Sequence, residues 1–142
     1  MVPLSDEHIP AVADALYRLE LDHGRYPFPI KFNLTKAIQH VIEKGLAGDA
    51  YVGHGCLLLV SVQQPWYSDT TALCEEFILS LGGGVNLRAV IRFLDKLAAE
   101  HKADMILSGN TLQDPRLSQL YLRLGYRRVT DQFYKEPTWV EY

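Results

Sequence analysis

The stretch Leu73-Cys74-Glu75-Glu76-Phe77-Ile78-Leu79-Ser80-Leu81-Gly82-Gly83-Gly84-Val85-Asn86-Leu87 decides the reading of this sequence, because its period changes partway along. Up to Leu81 it has the apolar character of a strand inside a sheet. After the glycines, Leu87, Val90, Ile91, Leu94, Leu97 and Ala98 recur at helical spacing, with Arg88, Arg92, Asp95 and Lys96 on the wet side. A glycine bend therefore joins a strand to a long amphipathic helix. At such a join the free N–H groups of the first helical turn and the positive end of the helix dipole make an anion site. Glycine lets backbone approach a phosphate, and Asn86 tolerates unusual backbone angles. A tight turn that binds nothing is the competing reading of three glycines alone.

Upstream, Ser5 or Asp6 is the expected N-cap of a helix whose inner stripe is Ile9, Val12, Ala13, Leu16 and Leu19. Gly24 and Tyr26-Pro27-Phe28-Pro29-Ile30 end it. Asn33 caps a second helix carrying Leu34, Ile38, Val41 and Ile42, closed by Gly45 or Gly48. Strand character begins at Ala50, and Cys56 to Val62 reads as a central strand. The loop Gln63–Asp69 is short, so the Leu73–Leu81 strand is expected to run antiparallel to it.

Downstream, Asp104–Ser108 predicts a short buried strand, and Asp114-Pro115 an N-cap followed by proline at the first helical position. Leu117, Leu120, Tyr121 and Leu124 form the inner stripe of that helix, Gly125 ends it, and a last strand is expected from about Arg127 to Lys135. The element order predicts a single α+β (α/β three-layer) domain over residues 1–142, with a mixed, mostly antiparallel sheet and helices on both faces.

Composition fits that domain. The chain has 142 residues, 48% hydrophobic and 22% charged, with 14 Lys and Arg against 17 Asp and Glu. There is no basic excess to neutralise a phosphate backbone, so nucleic acid is not expected as a partner. Residues Met1 to His8 lack the pattern of a secretion signal, and no apolar run approaches a membrane span. A cytoplasmic protein that binds no membrane is expected. Cys56 and Cys74 lie in apolar runs and read as buried thiols. His8, His23, His40, His54 and His101 lack metal-ligand spacing, so no metal is expected, and His54 reads as a turn residue.

Two phosphate-binding loops are excluded. No Gly-Lys-Ser/Thr follows the glycines, and they come too late in the domain for a dinucleotide fingerprint. The C-terminal block Leu120-Tyr121-Leu122-Arg123-Leu124-Gly125-Tyr126 instead resembles the LY-x-[KR]-x-G-[FY] signature of the GCN5-related N-acetyltransferases (the GNAT superfamily). The preceding order of strand, glycine loop, long helix, short strand and helix is similar to that family over roughly the second half of the chain.

The resemblance implies an acetyl-CoA-binding domain that transfers acetyl to a primary amine by direct attack. It implies that the pantetheine arm bonds to backbone at Phe77, Ile78 and Leu79. The pyrophosphate is then implied to rest on Gly82, Gly83, Gly84, Val85, Asn86 and Leu87, with Arg88 nearby. Tyr121 matches the tyrosine that protonates the leaving thiolate. Glu75 and Glu76 are adjacent on the strand and point to opposite faces, so one of them faces the cleft as a base; we favour Glu76. Both as surface charges is the alternative. Tyr26 and Phe28 are candidate acceptor lining, or else a plug over the sheet end, and Trp66 and Tyr67 mark a second aromatic loop.

Against the family loop Q/R-x-x-G-x-G/A, this chain keeps the middle glycine at Gly84 but has Leu81 and Asn86 at the flanking positions. Asp114 stands where an asparagine is common. These departures keep open a non-enzymatic reading, a GNAT-shaped binding or structural module (for instance virus-encoded), with or without CoA. The resemblance also admits a homodimer, and it does not select among small-molecule and protein amines.

Overall fold

The computed structural model describes residues 1–22 and 25–138. They group into two compact units, residues 1–22 with 31–109 and residues 25–30 with 110–138. Gly24 and His23 lie outside the described residues.

The first unit is built on a five-stranded sheet in the order β1-β2-β3-β4-β5. Its strands are β1 (Val2–Pro3), β2 (Ala50–Gly53), β3 (Cys56–Gln63), β4 (Ala72–Ser80) and β5 (Met105–Leu107). All neighbours are antiparallel except β4 and β5. Helices α1 (Ile9–Leu21) and α2 (Leu34–Leu46) precede β2, and α3 (Leu87–Glu100) lies between β4 and β5.

The side chains of β3 sort the layers. Leu57 and Leu59 enter one core cluster with Val12, Leu16 and Leu19 of α1 and Val41 of α2. Cys56, Leu58 and Val60 enter the other, with Val90, Leu94 and Leu97 of α3. A strand with both faces buried needs apolar residues at consecutive positions, which is what Cys56 to Val60 supply. Helices thus cover both faces of a mixed sheet.

Asn33 caps α2 as expected, its Oδ1 accepting from Lys36 N at 3.0 Å. Asn86 does not adopt a left-handed backbone (φ −84) but caps α3, its Oδ1 accepting from Ala89 N at 3.2 Å. At the start of α1 the expected cap is displaced. Ser5 opens a short 3-10 turn, Asp6–His8, and His8 is the N-cap of the α-helix. Gly45 lies inside α2, which runs on to Leu46, and Gly48 follows with φ +80.

Two differences from the sequence reading concern β5 and the C-terminal segment. β5 is only half covered. Met105 is 40% and Leu107 38% exposed, while Ile106 packs with the α3 cluster. A strand at a sheet edge, with one face packed, buries alternate residues only. Residues 127–135 form no strand, and Val129 and Phe133 are exposed. Strand structure holds only against a pairing neighbour, and none pairs with this segment among the described residues.

The second unit holds α4 (Pro115–Arg123). Asp114 Oδ1 accepts from Arg116 N at 2.9 Å, and this bond first, with Arg116's side chain, holds the Asp114 carboxyl below its usual range. Asn110 ties the approach down, its Nδ2 donating to Asp114 O at 2.6 Å and to Ser118 Oγ at 2.8 Å. No helix among the described residues is long and apolar enough to cross a membrane.

The β2–β3 turn carries the tightest backbone contact. Gly55 has φ +82, and a Cβ there would collide with the carbonyl oxygen of Gly84. Gly48 has a similar φ and open space around it. Chemical denaturation should therefore show Gly48→Ala costing about 1 kcal/mol and Gly55→Ala at least about 2 kcal/mol, since only the second adds a clash to the backbone strain.

Candidate active site on β4 and the glycine loop

Strand β4 changes character halfway along. Leu59 opposes Phe77 and Val60 opposes Glu75, so Glu76 is an extra residue in β4, a bulge. The bulge reverses the alternation beyond it. Glu75 shares the α3 face with Val60, whereas Glu76 and Phe77 both border a cleft on the α1/α2 face.

The other edge of β4 is open over the same stretch. β5 pairs only with Ala72, Leu73 and Cys74. Among the described residues, Phe77–Ser80 pair with β3 on one side and with no strand on the other. Backbone donors and acceptors along that edge are left for an extended, hydrogen-bonding chain to match.

The open edge leads into the glycine loop. Gly82, Gly83 and Gly84 have φ of +98, +91 and +107. The loop is pinned at both ends by the β2–β3 turn, with Leu81 N donating to Gly55 O at 2.9 Å and Asn86 N to His54 O at 3.0 Å. His54 is a turn residue, as its sequence context implies, with φ 51. Gly82 N makes a long bond to Ser80 Oγ, 3.4 Å. The amides of Gly83, Gly84, Leu87 and Arg88 meet no acceptor among the described residues. Arg18 of α1 adds a cation: a carbon built on Gly82 would lie 3.8 Å from its Nη1. Its pairing with Asp14, a half-exposed contact at 3.6 Å, is weak. Unpaired amides, a helix N-terminus and a guanidinium are the donor set that suits a diphosphate.

The cleft beside the bulge has a volume of about 260 Å³ and is lined by Leu16 of α1, Phe32, three residues of α2 (Ala37, His40, Val41), Leu59 of β3, and Glu76 and Phe77 of β4. Its carboxylate is firmly held. Lys44 Nζ donates to Glu76 Oε1 at 3.0 Å and to Val60 O at 2.6 Å, and the Lys44 side chain is only 14% exposed. His40 Nε2 lies 3.6 Å from Glu76 Oε2. Burial pushes the Glu76 carboxyl up, but the hydrogen bond and charge of Lys44, with bonds from Ser61 and His40, bring it net below its usual value. Glu76 is ionised at neutral pH.

Glu76, Phe77, Ile78 and Leu79, the loop Gly82–Leu87 and Arg88 are thus consecutive parts of one ribbon in the first unit. Glu75 lies on the opposite face, near enough to Cys56 to influence its thiol. Burial, then Glu75, pushes Cys56 to about 11, so it is an inert thiol, and burial also raises Cys74. In the second unit Tyr121 is buried at 7% exposure, its ring 4.9 Å from that of Tyr126. Tyr26 and Phe28 also belong to that unit, where Phe28 contacts Tyr134 at 6.1 Å between ring centroids. Trp66 and Tyr67 stack edge-on and are exposed. Among the described residues no three His, Cys, Asp or Glu side chains gather as a metal-binding group.

Arg18, His40, Lys44 and Phe32 escaped the sequence reading. For His40 and Lys44 there was a signal: four apart on α2, they flank Val41 of the buried stripe. For Arg18 there was none, because only the tertiary fold brings α1 to the glycine loop.

Several solved structures match nearly the whole chain. A probable acetyltransferase superposes with a TM-score of 0.67 at 10% identity, covering 97% of each chain. The aminoglycoside 6'-N-acetyltransferase AAC(6')-IG from Acinetobacter haemolyticus gives 0.62 at 14% identity, covering 96% of each. A structure of AAC(6')-Iy with the bisubstrate analogue CoA-S-monomethyl-acetylneamine gives 0.58 at 10% identity, covering 95% of each. No protein-family model matches the sequence, and no curated protein does. At these identities the likeness establishes the fold, which is that of the GNAT acetyltransferases.

The clamped carboxylate generates a pH prediction. Because the folded-state pKa of Glu76 lies below its ordinary 4.5, its pairing stabilises the fold above that pH and is lost as pH falls through the lower folded value. Glu76→Gln should cost roughly 1–2 kcal/mol at pH 7, with a stability profile flatter than wild type between pH 6 and acid. Urea titrations across that range measure both.

Proposed function

We propose that this chain is an N-acetyltransferase that moves the acetyl group of acetyl-CoA to a primary amine by direct attack. One observation carries the reading. The edge of β4 from Phe77 to Ser80, which meets no strand among the described residues, leads through Leu81 and Gly82 to the open amides of Gly83, Gly84 and the first turn of α3. An extended arm with two amides ending in a diphosphate is the ligand whose chemistry matches that sequence of donors and acceptors.

Residues Phe77, Ile78 and Leu79 would hold the pantetheine arm by backbone pairing. The open amides of Gly83, Gly84, Leu87 and Arg88 would hold the diphosphate, and Arg18 adds positive charge beside Gly82; the Asn86 amide, expected among the donors, is instead spent on His54 O. When bound, acetyl-CoA supplies an activated acyl group: a C–N bond forms as the C–S bond breaks, the amine loses a proton and sulfur gains one. Backbone N–H groups near the Glu76 bulge, where the ladder with β3 slips, would stabilise negative charge on a carbonyl oxygen. Glu76 rather than Glu75 is the cleft carboxylate. Its low pKa makes it a holder of the His40 imidazole more than a strong base itself, and half-exposed His40 passes protons to water. Tyr121 is the proposed acid toward sulfur, on the strength of its place in the Leu-Tyr-x-x-x-Gly-Tyr signature.

Acetyl-CoA at about a hundred times its Kd should stabilise the protein by about 2.7 kcal/mol in a thermal-shift assay. Arg18→Ala should weaken acetyl-CoA binding by about three- to tenfold with the fold intact. Tyr121→Phe should reduce kcat about 100-fold while leaving acetyl-CoA binding near wild type. Absence of any stabilisation by millimolar acetyl-CoA would remove the transferase reading. Binding without turnover of any amine would leave only the CoA-binding module.

A further inference from the structure

The cleft beside Glu76 narrows the acceptor, an inference that rests on the transferase reading above. Its walls are largely apolar: Leu16, Val41 and Leu59, with Phe32 and Phe77 as the aromatic members. Its one carboxylate is already matched. Lys44 Nζ sits 3.0 Å from Glu76 Oε1 and is itself fixed to Val60 O at 2.6 Å, so the negative charge is met within the protein.

That arrangement discriminates among amines by charge number. A polycation would bring several ammonium groups against hydrocarbon, each without a counter-charge, and each such burial is costly. A monoamine loses the hydration of one nitrogen only, and its carbon body gains about 25 cal/mol for each Å² it buries. Size agrees. A cavity of about 150 Å³ admits benzene, so the volume of about 260 Å³ accommodates a ring with a short side chain. The polar members, His40 and Glu76, lie together, 3.6 Å apart, which gives the cleft one polar side for one nitrogen.

We infer that the acceptor is a primary monoamine on an aromatic or branched-aliphatic body, seated in this cleft with its nitrogen toward His40 and Glu76. The polycationic acceptor chemistry of an aminoglycoside does not fit it.

The test is an acetyl-transfer assay on the whole chain with acetyl-CoA and four amines: phenethylamine, isoamylamine, spermidine and kanamycin. The two apolar monoamines should be turned over with kcat/KM at least tenfold above both polycations. Ala37→Trp, which fills the cleft from α2, should raise the KM for phenethylamine at least tenfold and leave acetyl-CoA affinity within twofold. Ala37→Leu, a smaller filler, should do the same to a lesser degree and serves if the tryptophan variant does not fold. Faster turnover of spermidine or kanamycin, or an unchanged amine KM in the filled variants, overturns the acceptor assignment while the transferase reading stands. Failure of the wild-type chain to bind acetyl-CoA overturns both.

Discussion

Between Leu59 and Val60 of β3, the facing strand carries one residue more than the ladder can pair, and that residue is Glu76. A bulge bends its strand and adds local twist. Here it does so at the point beyond which β5 no longer accompanies β4, since β5 pairs only as far as Cys74. Beyond it, β4 pairs with β3 on one edge and with no strand among the described residues on the other, and Glu76 and Phe77 both lie on the α1/α2 face. The set of side chains that borders the cleft follows from that single irregularity. Without it, alternation would return Phe77 to the α3 side and close the cleft with a different set of side chains.

A sheet edge within a protein is ordinarily a hazard, because unpaired amides recruit other strands. This one is short, and it ends in glycines whose positive φ values turn the chain away from strand geometry and into α3. The turn holding that loop is built from close backbone contact, Gly55 against Gly84, with Leu81 and Asn86 bonded to the same turn. The amides of Gly83 and Gly84 in between meet no acceptor among the described residues, which is the preorganisation an anion site requires. Electrostatics in the cleft is more economical: one largely covered lysine neutralises one carboxylate, leaving the cleft walls to hydrophobic contact.

The parts of this structure that were legible in the sequence are those set by local chemistry. Leu87, Val90, Ile91, Leu94 and Leu97 spell out the inner face of α3, and Asn33 and Asp114 cap the helices their positions imply. The join of strand, glycines and helix was visible for the same reason. What escaped depends on pairing between distant segments. Nothing in Glu75-Glu76 reveals that the ladder slips there, because a bulge is a property of two strands in register. The segment from about Arg127 to Lys135 is expected as a strand, but a strand forms only where a neighbour pairs with it, and the sequence of one segment does not show that neighbour. Lys44, a charged residue near the end of α2, reads as solvent-facing until Glu76 is brought to it. The departures at Leu81 and Asn86 proved less informative than they looked. Both residues spend their backbone N–H on the neighbouring turn, and the amides left open belong to other positions.

The central claim is that the backbone from the second half of β4 through the first turn of α3 is a single binding surface for coenzyme A. Amide chemical shifts in ¹⁵N-labelled protein titrated with coenzyme A measure this residue by residue. The account predicts that amides within residues 77–88, Gly83, Gly84, Leu87 and Arg88 among them, move together along one saturation curve, along with the Arg18 side chain. Shifts confined to other parts of the chain, with this ribbon unmoved at saturating ligand, would contradict it.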